Sequence, residues 1–167
     1  MKSKITIIII AATALIMLSV AWLARPGGQN KNGQLQEVSN GGTLAAQEDN
    51  FDFGSISMAA GPVSRSFKLK NTGPGPLTIE KIYTSCMCTT ASLTIKDRTV
   101  GQYGMPGHSF IPKINQTIEP NEEATVEVVF DPAAHGPAGV GKIERGVIIE
   151  NDAGQDLQLN ISALVTP

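Results

Sequence analysis

The chain has 167 residues, a formal net charge of −2 from 13 Lys and Arg against 15 Asp and Glu, and 41% hydrophobic but only 5% aromatic residues. That near-balance excludes the basic surface that phosphate neutralisation demands of a nucleic-acid binder. Two Cys exclude a multi-disulfide scaffold, and 17 Gly with 10 Pro suit strands and turns rather than helices.

Residues 1–25 form a segment of their own. Lys2 and Lys4 precede an apolar run from Ile5 to Ala24, broken only by Thr6, Thr13 and Ser19, and closed by Arg25 and Pro26. As a helix rising about 1.5 Å per residue, the run spans about 30 Å, the hydrocarbon thickness of a bilayer. Trp22 stands where an interfacial aromatic belongs, and the leading lysines predict a cytoplasmic N-terminus. A single-pass transmembrane anchor is therefore expected, with the body on the extracytoplasmic side. The alternative is a signal peptide cleaved after Ser19-Val20-Ala21, which makes the body secreted or periplasmic. Residues 26–50, rich in Gly, Asn and Gln, read as a flexible linker.

From residue 51 to 167 the pattern changes to period 2. Phe51 to Ile56 opens as a short strand. Val63, Phe67 and Leu69 share a face, with Arg65 the exception. Leu77 and Ile79 begin a strand whose parity breaks at Ile82, which predicts a bulge near Lys81. Ala124, Val126, Val128 and Phe130 alternate with outward residues, Val147 to Glu150 is another apolar segment, and Leu157 to Val165 alternates with one slip at Leu164. Turn residues separate these runs at 71–76, 119–122 and 151–154. About seven short strands with such spacing predict an all-β, immunoglobulin-like antiparallel sandwich. Its core is expected to rest on aliphatics with Phe51, Phe53, Phe67 and Phe130.

The side chains able to carry chemistry lie around Ser85-Cys86-Met87-Cys88-Thr89. In an extended segment, residues two apart point to one face, so Cys86 and Cys88 stand side by side with Cα atoms roughly 7 Å apart. Paired thiolates suit a soft metal such as Cu(I) or Zn. A Gly-rich insertion, Lys96 to Lys113, adds Met105 and His108, and these complete a Cys86, Cys88, Met105 and His108 ligand set for copper. Met87 and His135 are further donors, although Met87 is expected on the opposite face from the thiols. Two other readings stand beside this one. The cysteines are small buried hydrophobes, or they oxidise to a strained, easily reduced disulfide with a redox role. The segment Asp131 to Gly139 reads as a structural loop between sheets, with a ligand-contacting loop near the cysteines as its alternative. The chain contains no G-x-S-x-G, H-E-x-x-H, P-loop or G-x-G-x-x-G pattern.

Five stretches in order, Phe51-Asp52-Phe53-Gly54-Ser55-Ile56, Phe67-Lys68-Leu69-Lys70-Asn71-Thr72-Gly73, Pro76-Leu77-Thr78-Ile79, Ser85-Cys86-Met87-Cys88-Thr89 and Ile118-Glu119-Pro120-Asn121-Glu122-Glu123 followed by Val126 to Phe130, resemble the bacterial domain-of-unknown-function family 1573. The resemblance runs from about Asn50 to Val165 and implies an immunoglobulin-like sandwich related to Hydin-type and major-sperm-protein-like domains, which mostly bind or scaffold. The chain departs from that pattern at Met87, where the family usually has Gly, and in its long insertion. The resulting expectation is a membrane-tethered, extracytoplasmic binding or structural module with a protein partner in the cell envelope and no catalytic activity. Copper binding and thiol-disulfide exchange are its alternatives.

Overall fold

The computed structural model describes residues 41–167, so the expected anchor and residues 26–40 of the expected linker lie outside the described residues. Ten strands follow in chain order: β1 (Leu44–Ala46), β2 (Asn50–Ser57), β3 (Val63–Asn71), β4 (Leu77–Thr84), β5 (Thr89–Ile95), β6 (Arg98–Tyr103), β7 (Gln116–Ile118), β8 (Glu123–Phe130), β9 (Gly141–Asn151) and β10 (Leu157–Thr166). They make two five-stranded sheets, ordered β1-β3-β8-β5-β6 and β2-β10-β9-β4-β7. The all-β sandwich is thus present, with more strands than the alternation suggested.

The core forms where the apolar faces of both sheets meet. Phe67 of β3, Leu93 of β5 and Val126 of β8 are fully buried from one side, and Ile82, Ile149 and Leu159 from the other. Phe67 and Leu93 both stand opposite Val126 in register, so three strands stack one continuous apolar row. The bulge expected near Lys81 is present as a register shift between Ile79 and Lys81 against β9. A second shift, with the extra residue on β2, lies where β10 runs parallel to it between Ser162 and Leu164; Leu164 keeps the outward parity of β10 and is exposed. This parallel pairing departs from the all-antiparallel expectation. It arises because β2 and β10 come from opposite ends of the sandwich sequence and need no tight turn between them.

Four further differences have physical causes. β1 falls inside the expected linker: although short, it pairs with β3 from Leu44 opposite Asn71 to Ala46 opposite Leu69. Much of the expected insertion is regular structure, because β5 turns at Lys96, with φ 53°, into β6. Only 104–115 remains as a loop before β7. Phe51 and Phe53 pack at the edge of the core rather than inside it, edge-to-face with ring centroids 5.0 Å apart. Finally, Arg65 breaks parity because its guanidinium lies 4.2 Å over the Phe51 ring and pairs with Glu48.

Candidate functional site

β4 belongs to one sheet and β5 to the other, so the chain turns the corner of the sandwich at residues 85–88. This corrects the extended geometry expected for the cysteines. The Thr89 amide donates to the Cys86 carbonyl at 3.1 Å, which closes a tight turn. The buried Thr84 hydroxyl lies 2.9 Å from the Cys86 carbonyl and 3.0 Å from that of Thr89. Ser85 is tied to β9 by two bonds: its amide donates to the Gly146 carbonyl, and its Oγ accepts from the Gly146 amide, each at 2.9 Å. The Asp131 amide donates to the Cys88 carbonyl at 2.9 Å, so the loop after β8 is sewn to the same turn.

The turn brings the sulfurs much closer than a strand would. Both cysteines are free thiols, and their Sγ atoms lie 2.6 Å apart. Cys88 is buried, Cys86 is half-buried, and Met87 between them is 48% exposed. His135 Nε2 lies 3.1 Å from Cys86 Sγ. Arg145 of β9 donates from Nε to Cys88 Sγ at 3.2 Å, while another nitrogen of its guanidinium donates to the Glu144 carbonyl at 2.8 Å. The ligand atoms of Cys86, Cys88 and His135 all lie within 4.8 Å of one another.

Electrostatics separates the two thiols. Burial pushes the Cys86 thiol up, but hydrogen bonds from Cys88 and His135 and the Arg145 charge together outweigh it and bring it down to about 7. Burial also pushes Cys88 up, and there the neighbouring Cys86 adds to the rise while Arg145 and Thr89 oppose it. The first proton therefore leaves the pair from the half-exposed side. Burial weakens the Arg145 cation, yet contact with both sulfurs more than restores it, so its charge is secure.

The other two expected ligands lie in the loop after β6, whose Gly104 carbonyl accepts from the Thr84 amide at 3.0 Å. Met105 is half-buried in the loop after β6, where its carbonyl accepts from the amides of His108 and Ser109. His108 is exposed and stands outside the Cys86–Cys88–His135 group. His135, a further donor in the sequence reading, joins the two thiols, carried by the loop after β8. Arg145 was not foreseen, although the parity of Ile143, Arg145, Val147 and Ile149 contains a signal: a charge on an otherwise inward-facing row.

Beside the sulfurs a shallow cleft of about 270 Å³ is lined by His135, Val140, Lys142, Ile143 and Arg145, among others. A larger cleft of about 540 Å³ runs along β2, β9 and β10 past Asp52, Lys142, Glu144 and Ser162, and contains neither thiol.

A protein of unknown function from Porphyromonas gingivalis W83 shares the architecture, with TM-score 0.55 and 17% identity over 74% of this chain and 47% of that one. This chain thus spans about half the length of that structure. The PapD-like domain 7 of human CEP192 aligns at TM-score 0.41 and 14% identity, covering 74% of this chain and 84% of that domain. The periplasmic chaperone SfaE aligns at 0.36 and 6%, covering 75% and 59%. No curated protein matches the chain. Residues 44–106, from β1 past the end of β6 with both thiols inside, match the family described as protein of unknown function (DUF1573), the family its motifs resemble.

Proposed function

We propose that the protein is a thiol-disulfide exchange module, held on the extracytoplasmic side by its N-terminal apolar segment, with Cys86 as the attacking thiol and Cys88 as the resolving one. The observation that carries this reading is the corner geometry: two free sulfurs 2.6 Å apart, one half-exposed and one buried, between an imidazole and a guanidinium. A purely structural role asks for no such surroundings, since buried structural thiols sit in apolar, inert settings.

The exchange balances as follows. The Cys86 thiolate attacks one sulfur of a partner's disulfide, forming a mixed disulfide and expelling the partner's other sulfur as a thiolate that takes up a proton. Cys88 then loses its proton to solvent, and its sulfur attacks Cys86 Sγ and releases the partner's remaining thiolate. The partner gains two electrons, and Cys86 and Cys88 become a disulfide. Run backwards, the same steps oxidise a partner dithiol. A ring closed across one intervening residue is strained, which favours donating the disulfide. Met87 and Val140, 48% and 44% exposed, stand beside the sulfurs and the cleft and offer an apolar contact to an envelope protein carrying the partner cysteines.

The test uses the full chain in detergent, equilibrated with glutathione buffers and then alkylated and weighed. Wild type should form the Cys86–Cys88 disulfide, and Cys88→Ser should accumulate a glutathione adduct on Cys86. A pair that stays dithiol in excess oxidised glutathione, with no adduct in that variant, ends the proposal.

A further inference from the structure

We infer that Cys86, Cys88 and His135 form, in the reduced chain, a three-donor site for one soft monovalent metal ion of the Cu(I) kind. This goes beyond the exchange reading and does not need it. The ligand atoms of all three residues lie within 4.8 Å of one another, with His135 Nε2 3.1 Å from Cys86 Sγ. Two sulfurs bound at about 2.3 Å to one three-coordinate ion stand roughly 4 Å apart, so the pair, now 2.6 Å apart, opens by roughly 1.4 Å on loading. Half-exposed Cys86 in a surface turn leaves room for that movement.

Donor chemistry selects the metal. Two thiolates and an imidazole are soft to borderline ligands, and among the described residues the group contains no carboxylate, so Ca²⁺ and Mg²⁺ are disfavoured. Charge then separates the soft ions. Two thiolates and the Arg145 guanidinium, 3.2 Å from Cys88 Sγ, leave one net negative charge, which a monovalent ion neutralises. A divalent ion would leave an excess positive charge beside Arg145 and beside Lys142, which lines the adjoining cleft. Three donors also fall short of the four that structural zinc sites use. The copper expectation from sequence thus keeps its thiols, but its imidazole comes from the loop after β8 rather than from His108.

The experiment is an anaerobic titration of the reduced full chain in detergent with Cu(I), against the chromophoric competitor bicinchoninate. Wild type should withhold about one equivalent, and Cys86→Ser and Cys88→Ser should each lose it. His135→Ala should bind at least about tenfold more weakly, while Met105→Ala and His108→Ala match wild type. X-ray absorption of the loaded wild type should show a first shell of two sulfurs and one nitrogen, a readout independent of how the variants fold. Copper retention by a Cys86→Ser/Cys88→Ser chain equal to wild type, a His135→Ala affinity equal to wild type, or Zn(II) displacing Cu(I) would overturn the inference. The metal-free chain is assayed for glutathione exchange in parallel. Exchange without copper retention removes the metal site alone, and copper retention without exchange removes only the redox reading.

Discussion

At the residue scale, Cys86 shows burial being overruled by neighbours. Its thiol stands at about 7 although desolvation alone would raise it, because Cys88, His135 and Arg145 all favour the thiolate. A group so lowered is reactive above that value and loses reactivity as pH falls through it. Iodoacetamide labelling followed by mass spectrometry should therefore show Cys86 half-maximally reactive near pH 7, with Cys88 lagging behind. Arg145→Gln should move the Cys86 profile upward, and by less than His135→Ala does, because the Arg145 charge is the smaller of the two contributions. Asn71 illustrates the structural counterpart. It is fully buried, and its Oδ1 accepts from the amides of Thr43 and Gly73 while its Nδ2 donates to the carbonyls of Gly75 and Ile118. Asn71→Ala orphans those groups and should cost about 2–4 kcal/mol by urea denaturation. Asn71→Asp should also destabilise, since a carboxylate donates to neither carbonyl. The thiol pair was legible from spacing, and Arg145 could have been read from its place on an inward-facing row. His135 could be named as a donor but not placed: it lies 49 residues from Cys86 in a loop, where no periodicity reports position.

At the element scale, strands were legible where large aliphatics alternate with polar residues, as in β3, β8 and β10. β5 carries the same period but fills it with Thr, Ala and Ser, so its hydrophobic contrast is weak, and β6 has almost none. The cysteine turn was hidden for a related reason: residues two apart share a face only while the backbone stays extended. β1 was lost in a Gly-rich stretch, yet Gly42 there, like Gly73 in the turn after β3, serves close approach. A Cβ on Gly73 would lie 2.5 Å from the Thr43 amide nitrogen, and one on Gly42 would lie 2.2 Å from Leu77 Cβ. Both positions press β1 against the turn after β3. Gly73→Ala should therefore cost about 1–3 kcal/mol, read as a lowered urea midpoint with an unchanged slope.

At the scale of the whole molecule, the two-sheet architecture could be read because one buried face per sheet imposes the period everywhere. The strand count and the parallel closure by β2 and β10 could not, since they depend on which edges meet in space. The same layering predicts where substitutions matter. Leu93→Ala, at a fully buried position between β6 and β8, should cost about 2–5 kcal/mol in thermal or urea unfolding. Phe110→Ser, at a residue 88% exposed, should change stability by less than about 0.5 kcal/mol. The corner position of the sulfurs has a mechanical consequence. A covalent link between Cys86 and Cys88 would enclose only about three residues, which in the chain-entropy picture is worth about 1.5 kcal/mol, far less than a link between distant strands. Calorimetry of the oxidised and reduced forms should therefore show transitions within about 5 °C of each other. In the exchange proposed above, two electrons would enter or leave at this corner of the sandwich, outside every strand's own pairing.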